Sequence, residues 1–265
     1  MEIFGYFAAV LIGVSLGLIG GGGSVLTVPV LVYLMGVEPV IATTSSLFIV
    51  GFTSLVGGAK AYAKKQIDFR AVTEFGIPSI LSIFIARRDI LPAIPDVLFN
   101  AGGIEITKNI FLMLLFSVLM LFASVSMIKD KRKDLEKEAD EKSKESFPTA
   151  LLGLFVGLIT GLLGAGGGFM IIPALVIFLK IPMKTAVGTS LLIIAINSLF
   201  GFLFSMKQFS YNWSLLLIFT VLGIAGIFVG ARLAEKIPGH HLKRGFGWFI
   251  LVMGIYIIVK ELFLK

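Results

Sequence analysis

Ten apolar stretches, separated by short polar or glycine-rich connections, account for most of this chain. They lie at 3–19, 24–36, 41–62, 71–86, 108–128, 148–163, 168–180, 185–206, 213–231 and 245–262. Most of them are 16–22 residues long, close to the roughly 20 residues that cross a bilayer as an α-helix. Charged residues make up only 15% of the chain, against about 25% in a soluble domain. The sequence therefore predicts an all-α polytopic transmembrane helix bundle.

One segment interrupts the apolar pattern and joins two apolar halves. Residues 129–146 hold 14 of the 39 charged residues, seven of each sign, as in a solvated linker. We assign 1–128 as an N-terminal transmembrane repeat, 129–147 as a charged cytoplasmic linker and 148–265 as a C-terminal transmembrane repeat. The net charge of +7 then arises in short loops, where basic residues mark the cytoplasmic side. No nucleic-acid partner is expected.

The two halves resemble each other at a fixed offset of 144 residues. Across 17–57 and 161–201, 15 of 41 aligned positions are identical without a gap. The identities include Gly17, Gly20, Gly22, Gly23, Pro29, Ser46 and Gly57, which match Gly161, Gly164, Gly166, Gly167, Pro173, Ser190 and Gly201. Two homologous repeats of this kind are common in secondary transporters.

The orientation of the repeats depends on whether each glycine-broken segment crosses the membrane once or returns as a re-entrant hairpin. With 3–36 as one broken crossing, the 23 Lys and Arg divide 14 to 9 across the membrane, whereas a hairpin divides them 17 to 6. Without the seven in the linker the divisions become 7 to 9 and 10 to 6. The positive-inside rule favours the hairpin, which puts both termini outside, the linker in the cytoplasm and the halves in inverted orientation.

Two glycine runs, at 20–23 and 164–168, are the most specific local signals. Each precedes a short apolar stretch that is predicted to be a helix, beginning near Ser24 and near Gly168. The first amides of a helix lack intrahelical partners and carry the positive end of its dipole. Glycine also lets a ligand approach the backbone closely. Together these features predict an anion-binding cradle, and the cradle itself carries no formal charge.

Hydroxyl groups near the start of the following helices extend this candidate site. Those at 43–46 and 189–190 could donate to a substrate oxygen or cap the helix, and the sequence leaves both alternatives open. The candidate substrate-binding residues are Gly20, Gly21, Gly22, Gly23, Ser24, Thr44, Ser45, Ser46, Gly164, Gly166, Gly167, Gly168, Thr189, Ser190 and Asn197.

Other glycines and two arginines are better explained by packing and topology. Three sets of glycines are spaced four apart, the pattern of close helix contact: Gly13, Gly17 and Gly21; Gly153, Gly157 and Gly161; Gly226 and Gly230. Arg88 and Arg232 occupy aligned positions at helix ends, where we expect them to fix topology rather than to bind substrate.

The doubled glycine motif resembles that of the TauE/SafE family of sulfite exporters, also called the DUF81 or toluene sulfonate uptake permease family. The pattern G-x-x-G-x-G-G-x5-P occurs at 17–29 and 161–173, followed by A-x-x-x-S at 42–46 and 186–190 and by G-A-R-L at 230–233. The resemblance implies an inner-membrane permease for sulfur-containing anions such as sulfite or organosulfonates. The first half departs from the second at 88–107, a connection about nine residues longer, and lacks the G-A-R-L motif; its sequence in this region is Ile85-Ala86-Arg87-Arg88.

Sequence motifs for catalysis and for ATP binding are missing. There is no P-loop and no H-E-x-x-H motif, and we expect no enzymatic activity, no cofactor and no metal. The expected partners are a small anionic substrate and the lipid bilayer, with a homo-oligomer left open. The alternative is a non-transporting membrane scaffold or assembly factor that binds partners through its glycine-rich helix faces.

Overall fold

The computed structural model describes residues 2–101, 104–128, 146–164, 166–234 and 239–263. The first half contains α1 (Glu2–Ile19), α2 (Thr27–Tyr33), α3 (Pro39–Ala63), α4 (Phe69–Ile85), α5 (Leu91–Ala93) and α6 (Lys108–Ile128). A 3₁₀-helix, Gly21–Leu26, precedes α2, and a π-helical turn, Ala86–Ile90, joins α4 to α5. The second half contains α7 (Ser146–Leu163), α8 (Gly168–Ile177), α9 (Met183–Ser205), α10 (Trp213–Leu233) and α11 (Gly239–Phe263). This architecture confirms the predicted helical bundle.

Several of these helices suit a membrane in length and surface. Four segments of the described chain are long and apolar enough to cross one: Pro39–Ala63, Phe69–Ala93, Met183–Ser205 and Trp213–Leu233. On α10, the side chains of Leu217 and Val221 are 54% and 64% exposed, as expected where a helix faces lipid. The predicted linker at 129–147 lies outside the described residues, apart from its last two positions, which belong to α7.

Aligned residues begin equivalent helices in the two halves. The Asp68 carboxylate accepts hydrogen bonds from the backbone N–H groups of Arg70 and Ala71, at 2.9 and 3.1 Å, and so caps α4. Asn212, 144 positions later, accepts from the N–H of Leu215 at 3.1 Å and caps α10. Such caps satisfy amides that the first helical turn leaves unpaired, so α4 and α10 start in the same way.

Helices α3 and α9 pack antiparallel at the centre of the bundle, through equivalent contacts. A Cβ atom added to Gly57 would lie 3.2 Å from Leu191 Cδ1, and one added to Gly201 would lie 3.0 Å from Leu47 Cδ1. Positions 57 and 201 are 144 apart, as are 47 and 191. Each half therefore presents the same glycine to the same leucine of the other half, which is the contact pattern of a local two-fold axis.

The spaced glycines pack two further helix pairs. A Cβ atom on Gly13 would overlap the Gly223 carbonyl, so α1 lies directly on α10. Its equivalent, Gly157, is pressed in the same way against the backbone of Ser79, which places α7 on α4. These contacts confirm the predicted packing role of the four-residue spacings. Gly21 differs, because it packs against Gly168 of the second half.

The long connection at 88–107 contains the β-structure of the described chain. Strands β1 (Val97–Ala101) and β2 (Ile104–Thr107) pair antiparallel, with Ala101 opposite Ile104. This small hairpin departs from the predicted all-helical architecture. It occupies the region where the first half is longer than the second, and it leads directly into α6.

Candidate functional site

The first glycine run bends the chain back along α1. Gly20 has φ 76°, a backbone conformation that glycine adopts without strain. The helical turn that follows begins at Gly21 rather than near Ser24 as predicted, because these residues form a 3₁₀-helix. A Cβ atom on Gly23 would lie 2.7 Å from the Ile12 carbonyl oxygen of α1. The absence of side chains at Gly21–Gly23 therefore permits a tight helical turn against α1 instead of an irregular loop.

The Ser24 side chain stabilises this helical turn through a hydrogen bond within it. Its side chain is fully buried, and its hydroxyl donates to the Gly21 carbonyl oxygen at 2.8 Å. Farther along, residues near 35 return to the beginning of α1, since a Cβ atom on Gly5 would meet the Met35 side chain. The segment from Gly21 to Met35 thus runs antiparallel to α1.

The second glycine run makes an irregular turn before α8. Gly164, Gly166 and Gly167 all have φ between 66° and 68°, and position 165 lies outside the described residues. Helix α8 begins at Gly168, as predicted, with Gly167 as an N-cap residue that supplies no side-chain hydrogen bond. The first amides of α8 therefore receive no hydrogen bond from an N-cap side chain. An anion cradle requires amides that are not capped in this way.

The two glycine runs touch each other in the middle of the protein. A Cβ atom on Gly21 would overlap the Gly168 Cα, and one on Gly168 would overlap the Gly21 Cα. We call residues 20–23 and 166–168 the glycine crossing. Its members are buried, and the contact between two backbones requires that both positions lack a side chain.

Aligned serines of α3 and α9 reach across to the opposite glycine run. The Ser46 hydroxyl donates to the Gly164 carbonyl oxygen at 2.8 Å. Ser190 Oγ would lie 3.2 Å from a Cβ atom on Gly20, while its hydroxyl donates to the Val187 carbonyl oxygen at 2.8 Å. Each repeat thus contributes a buried serine beside the glycines of the other.

The remaining predicted residues of α3 do not cap that helix. Helix α3 begins at Pro39, before the hydroxyl group, and Thr43 and Thr44 instead donate to the Val40 carbonyl oxygen at 2.7 and 3.4 Å. Ser45 is 2% exposed. The cap alternative is therefore wrong for these residues, because the proline starts the helix one turn earlier than the hydroxyl run.

The predicted residues of α9 have structural partners. The Thr189 hydroxyl oxygen accepts from the Asp68 backbone N–H at 2.9 Å, which ties α9 to the loop before α4. The Asn197 amide donates to Ser79 Oγ at 2.7 Å, while its Oδ1 has no hydrogen-bond partner among the described residues. Thr189 lies apart from the glycine crossing, whereas Asn197 keeps a free acceptor in the core.

Two buried hydroxyls beside the second run were not predicted. Ser198 Oγ would lie 3.1 Å from a Cβ atom on Gly166, and Thr160 Oγ1 stands against Gly167. Within the described part of the chain, neither hydroxyl has a hydrogen-bond partner. Ser198 is identical to Ser54 at the 144-residue offset, so the repeat could have indicated it.

Arg87 is a further residue that the sequence did not single out. It is fully buried, and its Nη1 donates to Thr44 Oγ1 at 2.9 Å and to Thr43 Oγ1 at 3.3 Å. The neighbouring Arg88, aligned with Arg232, has a side chain that is 68% exposed and lies 4.0 Å from Asp89. Arg87 lies four residues after Ile83 and continues the buried face of α4, whereas Arg88 lies one position outside that spacing.

The loop between α9 and α10 closes over Arg87. Gln208 Nε2 donates to the Arg87 carbonyl oxygen at 3.4 Å, and the Tyr211 hydroxyl donates to the Ser205 carbonyl oxygen at 3.0 Å. Burial raises the pKa of Tyr211, although the Arg87 guanidinium acts in the opposite direction. Tyr211 is therefore neutral at physiological pH and does not compensate the charge of Arg87.

Two cavities are lined by residues outside the glycine crossing. One of about 600 Å³ is lined mainly by apolar residues of the long connection and α6, including Ile94, Leu98 and Phe111. Another of about 320 Å³ is lined by Leu91, Pro92, Lys108, Gln208 and Phe209. Gln208 connects this smaller cavity to Arg87.

Comparison with known proteins gives a consistent result along the whole chain. The sequence model of the family described as "Sulfite exporter TauE/SafE" matches residues 6–257. A "Probable membrane transporter protein" of Xylella fastidiosa is 29% identical over 261 residues, covering 95% of this chain and 92% of its own length. "Probable membrane transporter protein YunE" of Bacillus subtilis is 28% identical over 261 residues, covering 91% and 89%. A "Probable membrane transporter protein" of Haemophilus influenzae is 27% identical over 274 residues, covering 94% and 95%.

No solved structure was found to match the chain. The family match nevertheless extends from α1 into α11 and includes both glycine runs. The protein therefore belongs to the TauE/SafE sulfite exporter family, a family of membrane transporters.

Proposed function

We propose that the protein is a secondary permease that moves small sulfur-containing anions, such as sulfite or organosulfonates, by alternating access around the glycine crossing. The observation that carries this proposal is the contact between Gly21 and Gly168, where one glycine run from each half meets the other inside the protein. Backbone that departs from a regular α-helix at membrane depth is tolerated where it is buried or lines a cavity. In transporters, such broken helices commonly form the substrate site.

The chemistry of the crossing suits an anion that carries several oxygens. Glycine backbone amides can approach such oxygens without obstruction by side chains, and the N-terminal end of α8 carries a partial positive charge. Ser198 and Thr160 lie beside Gly166 and Gly167 and add two hydroxyls that have no hydrogen-bond partner among the described residues. The described side chains that contact the crossing include no carboxylate, so they would not repel an anion there.

The relation between the halves supports alternating access. Gly57 on Leu191 and Gly201 on Leu47 are equivalent contacts between antiparallel helices, as expected for inverted repeats. The return of the chain from Gly21 toward Met35 along α1 supports the hairpin topology. In an inverted arrangement, either half can adopt the conformation of the other, which opens the same site alternately to the two sides.

The topology we propose follows from the same hairpin. Both termini lie on the outer side of the inner membrane, opposite to the cytoplasm, and the linker at 129–147 lies in the cytoplasm. With this orientation, the ends of α3 and α9 near Arg87 and Gln208 face outward.

Anion flux into proteoliposomes tests this function. Purified protein would be assayed with sulfite, sulfoacetate, taurine, sulfate and thiosulfate, and Gly166→Ala would be compared with Gly36→Ala. Both glycines have positive φ, at 66° and 69°, but a Cβ atom on Gly36 meets nothing within 4 Å. The two variants therefore share backbone strain and differ in contact with the site.

We expect flux of at least one sulfur-containing anion, lost in Gly166→Ala and retained in Gly36→Ala. Unimpaired flux in a folded Gly166→Ala protein would remove the glycine crossing as the site. Absence of flux and of ligand-dependent thermal stabilisation with every anion would favour a membrane scaffold instead.

A further inference from the structure

A buried cation lies near one end of α3, and no described carboxylate pairs with it. Arg87 is 0% exposed, and its Nε and Nη2 atoms have no hydrogen-bond partner among the described residues. The ion pairs found near it in the chain involve other arginines, Arg70 with Glu74 and Arg88 with Asp89. A guanidinium stays charged in proteins, and a buried charge without compensation is strongly unfavourable. No described residue therefore neutralises the positive charge of Arg87, and a bound anion would do so.

We propose that Arg87, Thr43 and Thr44 form a binding site for a monovalent oxyanion, which the transported substrate occupies on one side of the glycine crossing. This inference rests on the proposed function, because it names where the transported anion meets a full positive charge. The Nε and Nη2 atoms form one edge of the guanidinium plane. Two parallel N–H groups on such an edge match two oxygens of a carboxylate, sulfonate or hydrogensulfite.

The threonines hold the guanidinium in place and leave Nε and Nη2 without a hydrogen-bond partner among the described residues. Thr43 and Thr44 accept hydrogen bonds from Nη1, on the other side of the group from Nε. Their hydroxyl protons are directed to the Val40 carbonyl oxygen. Because a single cation is buried here, an anion of charge −1 neutralises the site, whereas a divalent anion would leave an excess negative charge in the core.

The site breaks the symmetry between the repeats. At the 144-residue offset, Thr43, Thr44 and Arg87 correspond to Val187, Gly188 and Ala231. The equivalent position in the second half therefore has neither the cation nor the two hydroxyls that orient it. An anion that approaches the crossing from the Arg87 side meets a charged site, and from the opposite side it meets none.

A cavity lies near the backbone of Arg87. Gln208 lines the cavity of about 320 Å³ and also donates to the Arg87 carbonyl oxygen. Lys108 lines the same cavity and adds positive charge. Cationic lining concentrates anions at a mouth of this kind, which would raise the anion concentration close to the proposed site.

Anion binding to the full-length protein in detergent tests the site directly. Methanesulfonate is the monovalent probe and sulfate the divalent one, with Kd measured by calorimetry for the wild type, Arg87→Gln and Arg88→Gln. The two substitutions remove the same charge from neighbouring positions, one buried and one exposed. We expect Arg87→Gln to weaken methanesulfonate binding by about tenfold or more, since hydrogen bonds to charged groups are strong, and Arg88→Gln to leave Kd unchanged.

Equal methanesulfonate affinity in the wild type and Arg87→Gln would overturn the site, as would tighter binding of sulfate than of methanesulfonate. If Arg87→Gln does not fold, Arg87→Lys decides, because an ammonium keeps the charge but lacks the planar fork. Weakening by about tenfold supports the site, and unchanged affinity overturns it. Flux separates the two proposals: binding at Arg87 without flux refutes only the permease, and flux with unchanged affinity in Arg87→Gln refutes only this site.

Discussion

Gly21 and Gly168, from opposite halves of the chain, touch backbone to backbone, so that neither position has room for a Cβ atom. The contact joins the 3₁₀-helix after α1 to the first residue of α8. It is the point at which the two glycine runs of the repeat become one structural unit. Substitutions at this contact therefore test the packing of both halves at once.

Alanine at either position is expected to destabilise the protein. Gly21→Ala and Gly168→Ala each force a methyl group into the opposing backbone, and overpacking of this kind costs about 1–3 kcal/mol. Gly76→Ala is the matched control, because Gly76 lies inside α4 and a Cβ atom there meets nothing within 4 Å. We expect Gly76→Ala to be neutral or to stabilise by up to about 1 kcal/mol. Thermal unfolding in detergent measures these changes, and equal stability of all three variants would contradict the contact.

The positions of the helices and the equivalence of residues in the two halves could be predicted from sequence. Apolar length alone separates one helix from the next, because a spanning helix needs about 20 residues. The 144-residue offset then identifies Ser46 and Ser190 as equivalent, and the structure places both beside the glycines of the other half. In the sequence, only the distribution of Lys and Arg indicates that the chain reverses its direction after α1.

The burial of Arg87 goes against the usual preference of its side chain. Of the two adjacent arginines, Arg87 continues the four-residue spacing of the buried residues Ser79 and Ile83. The spacing alone does not indicate burial, because arginine is rarely fully buried unless it is paired. Similarly, the 3₁₀-helix at Gly21–Leu26 depends on close packing against α1, since propensity alone disfavours glycine in any helix.

Single cysteines at Ser46 and Ser190 are expected to be accessible from opposite sides of the membrane. The chain has no native cysteine, so Ser46→Cys and Ser190→Cys can each be labelled alone with a membrane-impermeant thiol reagent in oriented proteoliposomes. The two serines lie near the N-terminal ends of antiparallel helices, beside Gly164 and Gly20. Under alternating access, a bound anion changes the two labelling rates in opposite directions.

Exposed loop positions provide the references for this experiment. Lys65→Cys and Lys207→Cys follow the C-terminal ends of α3 and α9, which point in opposite directions, and both residues are exposed. Labelling of Ser46→Cys from the Lys207 side and of Ser190→Cys from the Lys65 side is the expected result. Labelling of both serine variants from one side would be incompatible with inverted halves.

Removal of the Arg87 charge is expected to leave stability without anion unchanged or increased. In Arg87→Met the buried and uncompensated guanidinium is replaced by an apolar chain, a change that is often neutral or stabilising. Thr43 and Thr44 keep their hydrogen bonds to the Val40 carbonyl oxygen. The wild type is stabilised by about 2.7 kcal/mol at an anion concentration of 100 Kd, and Arg87→Met loses this gain.

Thermal unfolding with and without methanesulfonate measures both effects, with Arg88→Met as control. Because Arg88 is largely exposed, its variant should respond to the anion as the wild type does. A large loss of stability in Arg87→Met without anion would instead assign Arg87 a structural role.

Removal of a buried hydroxyl beside the glycine runs is expected to affect stability only if that hydroxyl has a hydrogen-bond partner. Ser46→Ala removes the hydrogen bond to the Gly164 carbonyl oxygen, so stability should fall by about 1 kcal/mol. Ser198 has no partner in the described chain, and removal of an unsatisfied buried hydroxyl leaves stability unchanged or raised. If Ser198 binds substrate, Ser198→Ala nevertheless raises the KM for anion flux by about fivefold to tenfold. Paired measurements of unfolding and flux separate these outcomes, and unchanged KM in Ser198→Ala would place substrate away from Gly166.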